Sequence, residues 1–155
     1  MFTKIKNFYQ ILILLGTGFQ PLLLLILRLY WGLSFFKTGL GKLQNIESVI
    51  QYFSSLHIIL PTANAYIASS IECIGGLLLL IGLASRLASI PLSLVMTTAY
   101  LTAHFDSIKT IFINPANFID QAPFTYLLVC LIIFAFGPGA FSIDALLKRF
   151  VFKIK

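Results

Sequence analysis

Long apolar stretches alternate with short polar segments along this chain of 155 residues. Four of the apolar stretches approach the length of about 20 residues that an α-helix needs to cross a hydrocarbon core of about 30 Å. We expect these stretches to cover residues 21–40, 61–84, 87–104 and 123–136. The pattern therefore predicts four membrane-spanning helices.

The segments outside the predicted spans are amphipathic or polar. Residues 47–60 place apolar side chains at helical spacing with polar ones between them, which indicates a short helix on the membrane surface. Residues 105–122 form a loop interrupted by Pro115, and Ser142 is suited to cap a closing basic helix. The predicted fold is an all-α membrane protein, a four-transmembrane-helix bundle with interfacial amphipathic helices at the N-terminus, in the first outer loop and at the C-terminus.

The first 20 residues resemble a secretory signal, because Lys4 and Lys6 precede an apolar run. No small-residue cleavage motif follows that run. We expect the helix to break at residues 16–18 and Pro21, which favours an uncleaved segment at the membrane interface. The predicted parts are an N-terminal interfacial segment (1–20), the four-helix membrane domain (21–147) and a basic cytoplasmic tail (148–155).

Composition and charge agree with a membrane protein. The chain is 59% hydrophobic and 10% charged, and its mean hydropathy is +0.96, which a soluble domain with a polar surface does not sustain. The net charge of +6 comes from residues grouped near span ends, so it indicates topology and contact with anionic lipid rather than with nucleic acid. One side of a four-span chain collects Lys4, Lys6, Arg86, Lys148, Arg149, Lys153 and Lys155. Both termini are therefore predicted to be cytoplasmic.

Two charged residues, Arg28 and Glu72, lie deep inside the predicted spans, away from their ends. A charge in lipid costs several kcal/mol unless it finds a partner or water. Counted from the ends of antiparallel spans, the two residues reach similar depths, so we expect them to form an ion pair. That pair would either fasten two helices together or form the floor of a polar cavity, and both interpretations stay open.

Small residues follow Glu72 at Gly75, Gly76 and Gly82, where a second helix could approach closely. Cys73 and Cys130 lack C-x-x-C spacing and are expected to be apolar fillers, with a contact between them left open. No metal site is predicted, because the two histidines lack ligand spacing.

Several short motifs occur in an order that resembles the bacterial DoxX family over roughly residues 22–147. They are Arg28-Leu-Tyr-Trp-Gly32, Phe36-Lys37, Gly41-Lys42, Glu72 with Gly75-Gly76, Gly82, Arg86, Gly137-Pro138-Gly139 and Ser142-Ile143-Asp144. The resemblance implies a multi-pass protein of the bacterial inner membrane with four helices and cytoplasmic termini. It also implies a range of roles, because the family's relatives include a small subunit of a thiosulfate:quinone oxidoreductase, members of oxidative-stress complexes, and distant cargo receptors or assembly chaperones.

The first functional hypothesis is an accessory subunit of a membrane-associated redox system, quinone-linked or acting in oxidative stress, rather than an enzyme on its own. Its binding residues would be a polar intramembrane cluster of Arg28, Lys37, Lys42, Glu72 and His104. A quinone is the candidate cofactor, none is expected to be covalently bound, and a soluble or membrane oxidoreductase is the candidate partner. His104 could exchange protons with a quinone or serve only as an interfacial anchor.

Two further hypotheses are kept. The chain could be a non-catalytic membrane chaperone, cargo-binding or assembly protein that uses its glycine-lined faces and apolar loops. It could also be a small transporter, although four spans without an inverted repeat would need a homodimer to provide alternating access.

Overall fold

The computed structural model describes residues 2–150, with side chains from residue 5 onward. Lys153 and Lys155 of the predicted tail, and the side chain of Lys4, lie outside this range. Within it the chain forms eight helices. They are α1 (Phe2–Gln44), α2 (Ile46–Ser55), α3 (Pro61–Ile81), α4 (Ser85–Ala103), α5 (Phe105–Lys109), α6 (Pro115–Ile119), α7 (Ala122–Phe136) and α8 (Ile143–Phe150). The prediction of an all-α fold is confirmed for this part of the chain.

Two of these helices are long and apolar enough to cross a membrane, namely α1 over Ile5–Gln44 and α3. The apolar helix α7 is shorter, at 15 residues, and it packs mainly against the 19-residue α4. Pro61 and Pro123 each lie in the first turn of a helix, where the missing N–H of proline would have no partner in any case. Proline therefore marked the starts of α3 and α7 in the sequence.

Helix α1 is continuous through Gly16, Gly18 and Pro21, so the expected break in this segment is wrong. Proline and glycine are tolerated here because the apolar residues on both sides favour a helix that satisfies its own backbone polar groups. At 1.5 Å per residue, the 43 residues of α1 span about 64 Å, roughly twice the thickness of a hydrocarbon core. Whether residues 1–20 lie at the membrane interface stays a prediction.

Helices α1 and α3 run antiparallel and touch backbone to backbone. A Cβ atom added at Gly32, Gly39 or Gly76 would lie under 3.0 Å from the facing helix, whose nearest residues are Leu80, Cys73 and Phe36 respectively. The three contacts fix the register of the pair. In this register Arg28 lies against Gly82, just past the end of α3. Gly82 is ten residues beyond Glu72, which corresponds to about 15 Å along a helix.

A single apolar core joins α1, α3, α4 and α7. Its fully buried side chains include Phe35, Leu79, Leu92 and Ile133, one from each of the four helices. Tyr126 of α7 packs edge-on against Phe35 and Trp31 of α1, with ring centroids 4.6 and 4.8 Å apart. The four longest apolar helices therefore form one bundle around a shared core.

We expect Gly39→Ala to destabilise the bundle, because the new methyl group would meet the α3 backbone at Cys73. Overpacking of this kind costs about 1–3 kcal/mol, so the melting temperature in detergent should fall by several degrees. Gly41→Ala is the matched control, since no atom lies within 4 Å of its added Cβ. Equal melting temperatures for the two variants would contradict the close contact between α1 and α3.

Candidate functional site

The buried carboxylate of Glu72 pairs with Lys42 at the end of α1. The Lys42 Nζ atom donates to both carboxylate oxygens, at 2.6 Å to Oε1 and 2.7 Å to Oε2. The Glu72 side chain is 2% exposed and that of Lys42 is 34% exposed, so the pair reaches from the core toward the surface. The expected pairing of Glu72 with Arg28 is wrong, because the register of α1 and α3 separates the two residues.

The Lys42 and Glu72 pair forms part of the wall of a cavity of about 380 Å³, which is a usual size for a small-molecule site. His104, at the end of α4, also lines this cavity. The remaining wall is mainly apolar and comes from α2, α3 and α4, including Phe53, Leu56, Ile67, Ile71, Leu94 and Val95. The structure thus brings together three of the five predicted site residues in one apolar cavity.

The ion pair leaves hydrogen-bonding capacity beside the cavity. A lysine ammonium carries three N–H donors, and two of them are directed at the Glu72 carboxylate. The third donor has no hydrogen-bond partner among the described residues. Glu72 holds the ammonium in place, so this donor is positioned before any ligand arrives.

Arg28 is buried at the opposite end of the bundle and does not line the cavity. Its Nη2 atom donates to the carbonyl oxygen of Phe141 at 2.6 Å, and its guanidinium lies against Gly82. An added Cβ at Gly82 would collide with this guanidinium and with Ser142. Arg28 therefore fastens the segment before α8 to the end of α3.

Asp144 also connects the start of α8 to the turn between α3 and α4. Its carboxylate accepts hydrogen bonds from the backbone N–H groups of Ala84 at 2.8 Å and Ser85 at 3.1 Å, and its own N–H donates to the carbonyl of Gly82 at 3.0 Å. Ala84 has a left-handed backbone conformation, with φ at 46°, which the hydrogen bond to Asp144 helps to hold. Ser142 caps α8, since its Oγ accepts from the N–H of Ala145 at 3.1 Å.

The remaining residues singled out in the sequence lie outside the cavity. Lys37 is exposed and lies outside the cavity. Gly75 packs against Leu92 of α4, and Gly76 against Phe35 and Phe36 of α1. In the part of the chain that the structure describes, both cysteines are free and no group of three metal-binding side chains is present.

Lys42 was predicted to be a site residue, but its pairing with Glu72 was not predicted. The signal that could have identified it is its position after Gly39, a glycine on the helix face that contacts α3. Because Gly39 and Lys42 are three residues apart, they share one face of α1. That spacing points the lysine toward the same neighbour helix.

These features define a class: a helical membrane protein with one buried charge at an end of its bundle and a second, paired charge near the middle of α3. The chain belongs to the DoxX family, whose sequence profile matches residues 23–105. The matched region includes Arg28, Lys42, Glu72 and His104.

Three relatives cover most of this chain. A Bacillus subtilis (strain 168) protein named "Putative oxidoreductase CatD" is 37% identical over 105 residues, which are 68% of this chain and 70% of the relative. The "Inner membrane protein YphA" of Escherichia coli (strain K12) is 30% identical over 81% of this chain and 90% of its own. An uncharacterized protein of Haemophilus influenzae is 30% identical over 87% of both chains. No solved structure matches the chain significantly.

Removing one partner of the buried pair should be more harmful than removing both. Lys42→Met leaves the Glu72 carboxylate buried without a counter-charge, which costs about 3–5 kcal/mol in fully buried pairs and less here because Lys42 is partly exposed. The double variant Lys42→Met/Glu72→Leu should recover most of the lost stability. Melting temperatures in detergent, combined in a double-mutant cycle, measure the coupling.

Lys37→Met is the control for this experiment, because it removes an exposed lysine from the same helix. We expect it to leave the melting temperature nearly unchanged. If Lys37→Met and Lys42→Met have the same effect, the ion pair does not contribute to the stability of the bundle.

Proposed function

We propose that this protein is a membrane subunit of a quinone-linked redox system and that it binds the quinone ring in the cavity beside Lys42 and Glu72. The observation that carries the proposal is an apolar cavity of about 380 Å³ with one ion pair in its wall, whose carboxylate is buried and whose ammonium is partly exposed. Ligand sites commonly combine a mainly apolar wall with a few placed polar groups. The name of the B. subtilis relative, an oxidoreductase, supports a redox role.

A quinone matches the chemistry of this cavity. Its ring carries two carbonyl acceptors on an otherwise apolar body, and its tail is a hydrocarbon. The free N–H donor of Lys42 suits one ring carbonyl, and the imidazole of His104 supplies a second polar group on the wall. The exposed side chains of Leu94 and Ile67 beside the cavity suit the start of an apolar tail.

The redox chemistry is assigned to a partner oxidoreductase, soluble or membrane-bound. In this division of roles the DoxX subunit binds the quinone ring near the partner. It also fixes the orientation of the ring's carbonyl groups. The proposal gives this chain a binding function and leaves the cofactor chemistry to the partner.

The proposed location is the bacterial inner membrane, with α1 from about residue 21, α3, α4 and α7 as four spans. Arg86, Lys148 and Arg149 lie at the end of the bundle that holds Arg28, which by the positive-inside rule is the cytoplasmic end. The cavity then opens in the outer half of the membrane. A membrane-protein relative, YphA, supports this location.

The first 20 residues of α1 are proposed to lie along the membrane surface. Their apolar side chains are exposed, including Tyr9, Leu14 and Leu15, and the full helix is about twice as long as a bilayer core is thick. An apolar helix of this length does not project into water. A bend at Pro21 that leaves α1 continuous would place this segment at the interface.

A second candidate function rests on the loops at the cavity end of the bundle. Four large apolar residues of two loops, Ile59, Leu60, Phe112 and Ile113, are 70–97% exposed. Exposed apolar surface of this kind is often an interaction site. Such loops could bind another membrane protein or an exported peptide. This observation favours the chaperone or assembly role over the transporter.

A photoreactive quinone analogue tests the first proposal in the purified full-length protein. We expect light-induced labelling to map to α3 and α4 around the cavity and to be reduced by unlabelled menaquinone or ubiquinone. The double variant Lys42→Met/Glu72→Leu should fold but bind the quinone about tenfold more weakly, because it lacks a charged hydrogen-bond donor. Labelling spread evenly over the lipid-facing surface would reject the site.

The matched control is Lys37→Met/Glu47→Leu, which makes the same two substitutions at exposed positions outside the cavity. Its quinone affinity should equal that of the unmodified protein. If neither protein binds quinone, while Phe112→Ser/Ile113→Ser releases a co-purifying protein, the assembly role replaces the redox role.

Spin labels test the proposed position of the N-terminal segment. The labels are attached in a variant with both native cysteines replaced by alanine. A label at Leu14 should be accessible to both oxygen and a water-soluble nickel reagent, as expected in the headgroup region. A label at Leu33, which is exposed within the proposed span, should show the accessibility of the hydrocarbon core. Equal depths for the two labels would mean that α1 crosses the membrane at another position.

A further inference from the structure

A second cavity, of about 570 Å³, lies at the other end of the bundle, near Arg28. Its wall comes from the turn between α3 and α4, the end of α7 and the start of α8. Two basic residues line it, Arg86 at the start of α4 and Lys148 on α8. We propose that this cavity binds the phosphate of an anionic phospholipid, a site separate from the quinone site.

The charges of the cavity wall favour an anion. Asp144 is the acidic residue in the wall, but its carboxylate already accepts two backbone N–H groups and is attracted to the buried Arg28. Arg86 and Lys148 form no salt bridge within residues 5–150. The cavity therefore has a net positive charge with one fixed and one flexible cation.

Arg86 is held in position without losing its ability to bind an anion. Its Nη2 atom donates to the carbonyl of Ala135 at 3.2 Å, and its guanidinium lies along the backbone of Gly137. An added Cβ at Gly137 would lie 3.2 Å from the Arg86 Nε atom, and the backbone there has a φ of 79°. A guanidinium has five N–H donors, so several are free for a phosphate.

A lipid fits this cavity better than a free phosphate does, because the wall is amphipathic. Leu87 and Phe136 line it and are 70% and 62% exposed, so they continue from the cavity onto the outer surface of the bundle. Acyl chains could follow these side chains while the phosphate lies between the two cations. The amphipathic helix α8, with Lys148 and Arg149 in its last turn, would then rest on the same headgroup layer.

Native mass spectrometry of the purified full-length protein tests the proposal, with phosphatidylglycerol as the probe and phosphatidylcholine as the neutral comparison. We expect phosphatidylglycerol to bind more tightly. Lys148→Gln should weaken its binding about fivefold, and Arg86→Gln/Lys148→Gln about 25-fold, since each cation near a lipid surface contributes a factor of about five. Phosphatidylcholine binding should be nearly unchanged.

The control is Lys37→Gln/Lys109→Gln, which removes the same net charge at positions outside this cavity and should change phosphatidylglycerol binding less than twofold. An equal loss in the two double variants, or equal binding of both lipids, would overturn the proposal. Displacement of phosphatidylglycerol by an equal concentration of inorganic phosphate would also overturn it. If Arg86→Gln does not fold, the result for Lys148→Gln tests the proposal by itself. We expect Lys148→Gln to fold, because the exposed Lys148 side chain makes no hydrogen bond in the described structure.

Discussion

The glycine contacts between α1 and α3 are the constraint on which the rest of the structure depends. Gly32, Gly39 and Gly76 let the two backbones touch, and the observed register places all three against the facing helix. This register brings Lys42 level with Glu72 and puts Arg28 beside the α3–α4 turn. A change in register by one helical turn would leave both buried charges without their partners.

Because of this register, the two buried charges, Arg28 and Glu72, have different kinds of partner. At the end that holds Arg28, the arginine and Asp144 are bound mainly to backbone groups of a turn and a loop, which fastens α8 to the bundle. Near the middle of α3, where α1 ends, a single ion pair borders a cavity. The first arrangement satisfies backbone groups that would otherwise be unpaired at helix ends, and the second keeps a donor free beside an open space.

Local sequence signals located most of the helices, because a helix start or cap depends on residues only a few positions away. Pro61 and Pro123 marked helix starts, and Ser142 marked the cap of α8. The predicted break near Pro21 was wrong, since an apolar segment tolerates proline when its neighbours all favour a helix. The Arg28 and Glu72 pair was wrong for another reason: depth was counted from helix ends, whereas glycine contacts set the register. A contact between distant segments cannot be located by counting within either one.

The position of the Lys42 and Glu72 pair argues for more than a structural role. An ion pair that only joins two helices can often be replaced by apolar residues of similar volume with little loss of stability, because desolvation offsets most of the attraction. Here the bundle already has close glycine contacts and an apolar core to hold α1 against α3. The charged pair instead lies where the core opens into a cavity, with the carboxylate buried and the ammonium reaching the open side. That placement suits a group that must meet a ligand, since an apolar pair would hold the helices together but would present no donor to it.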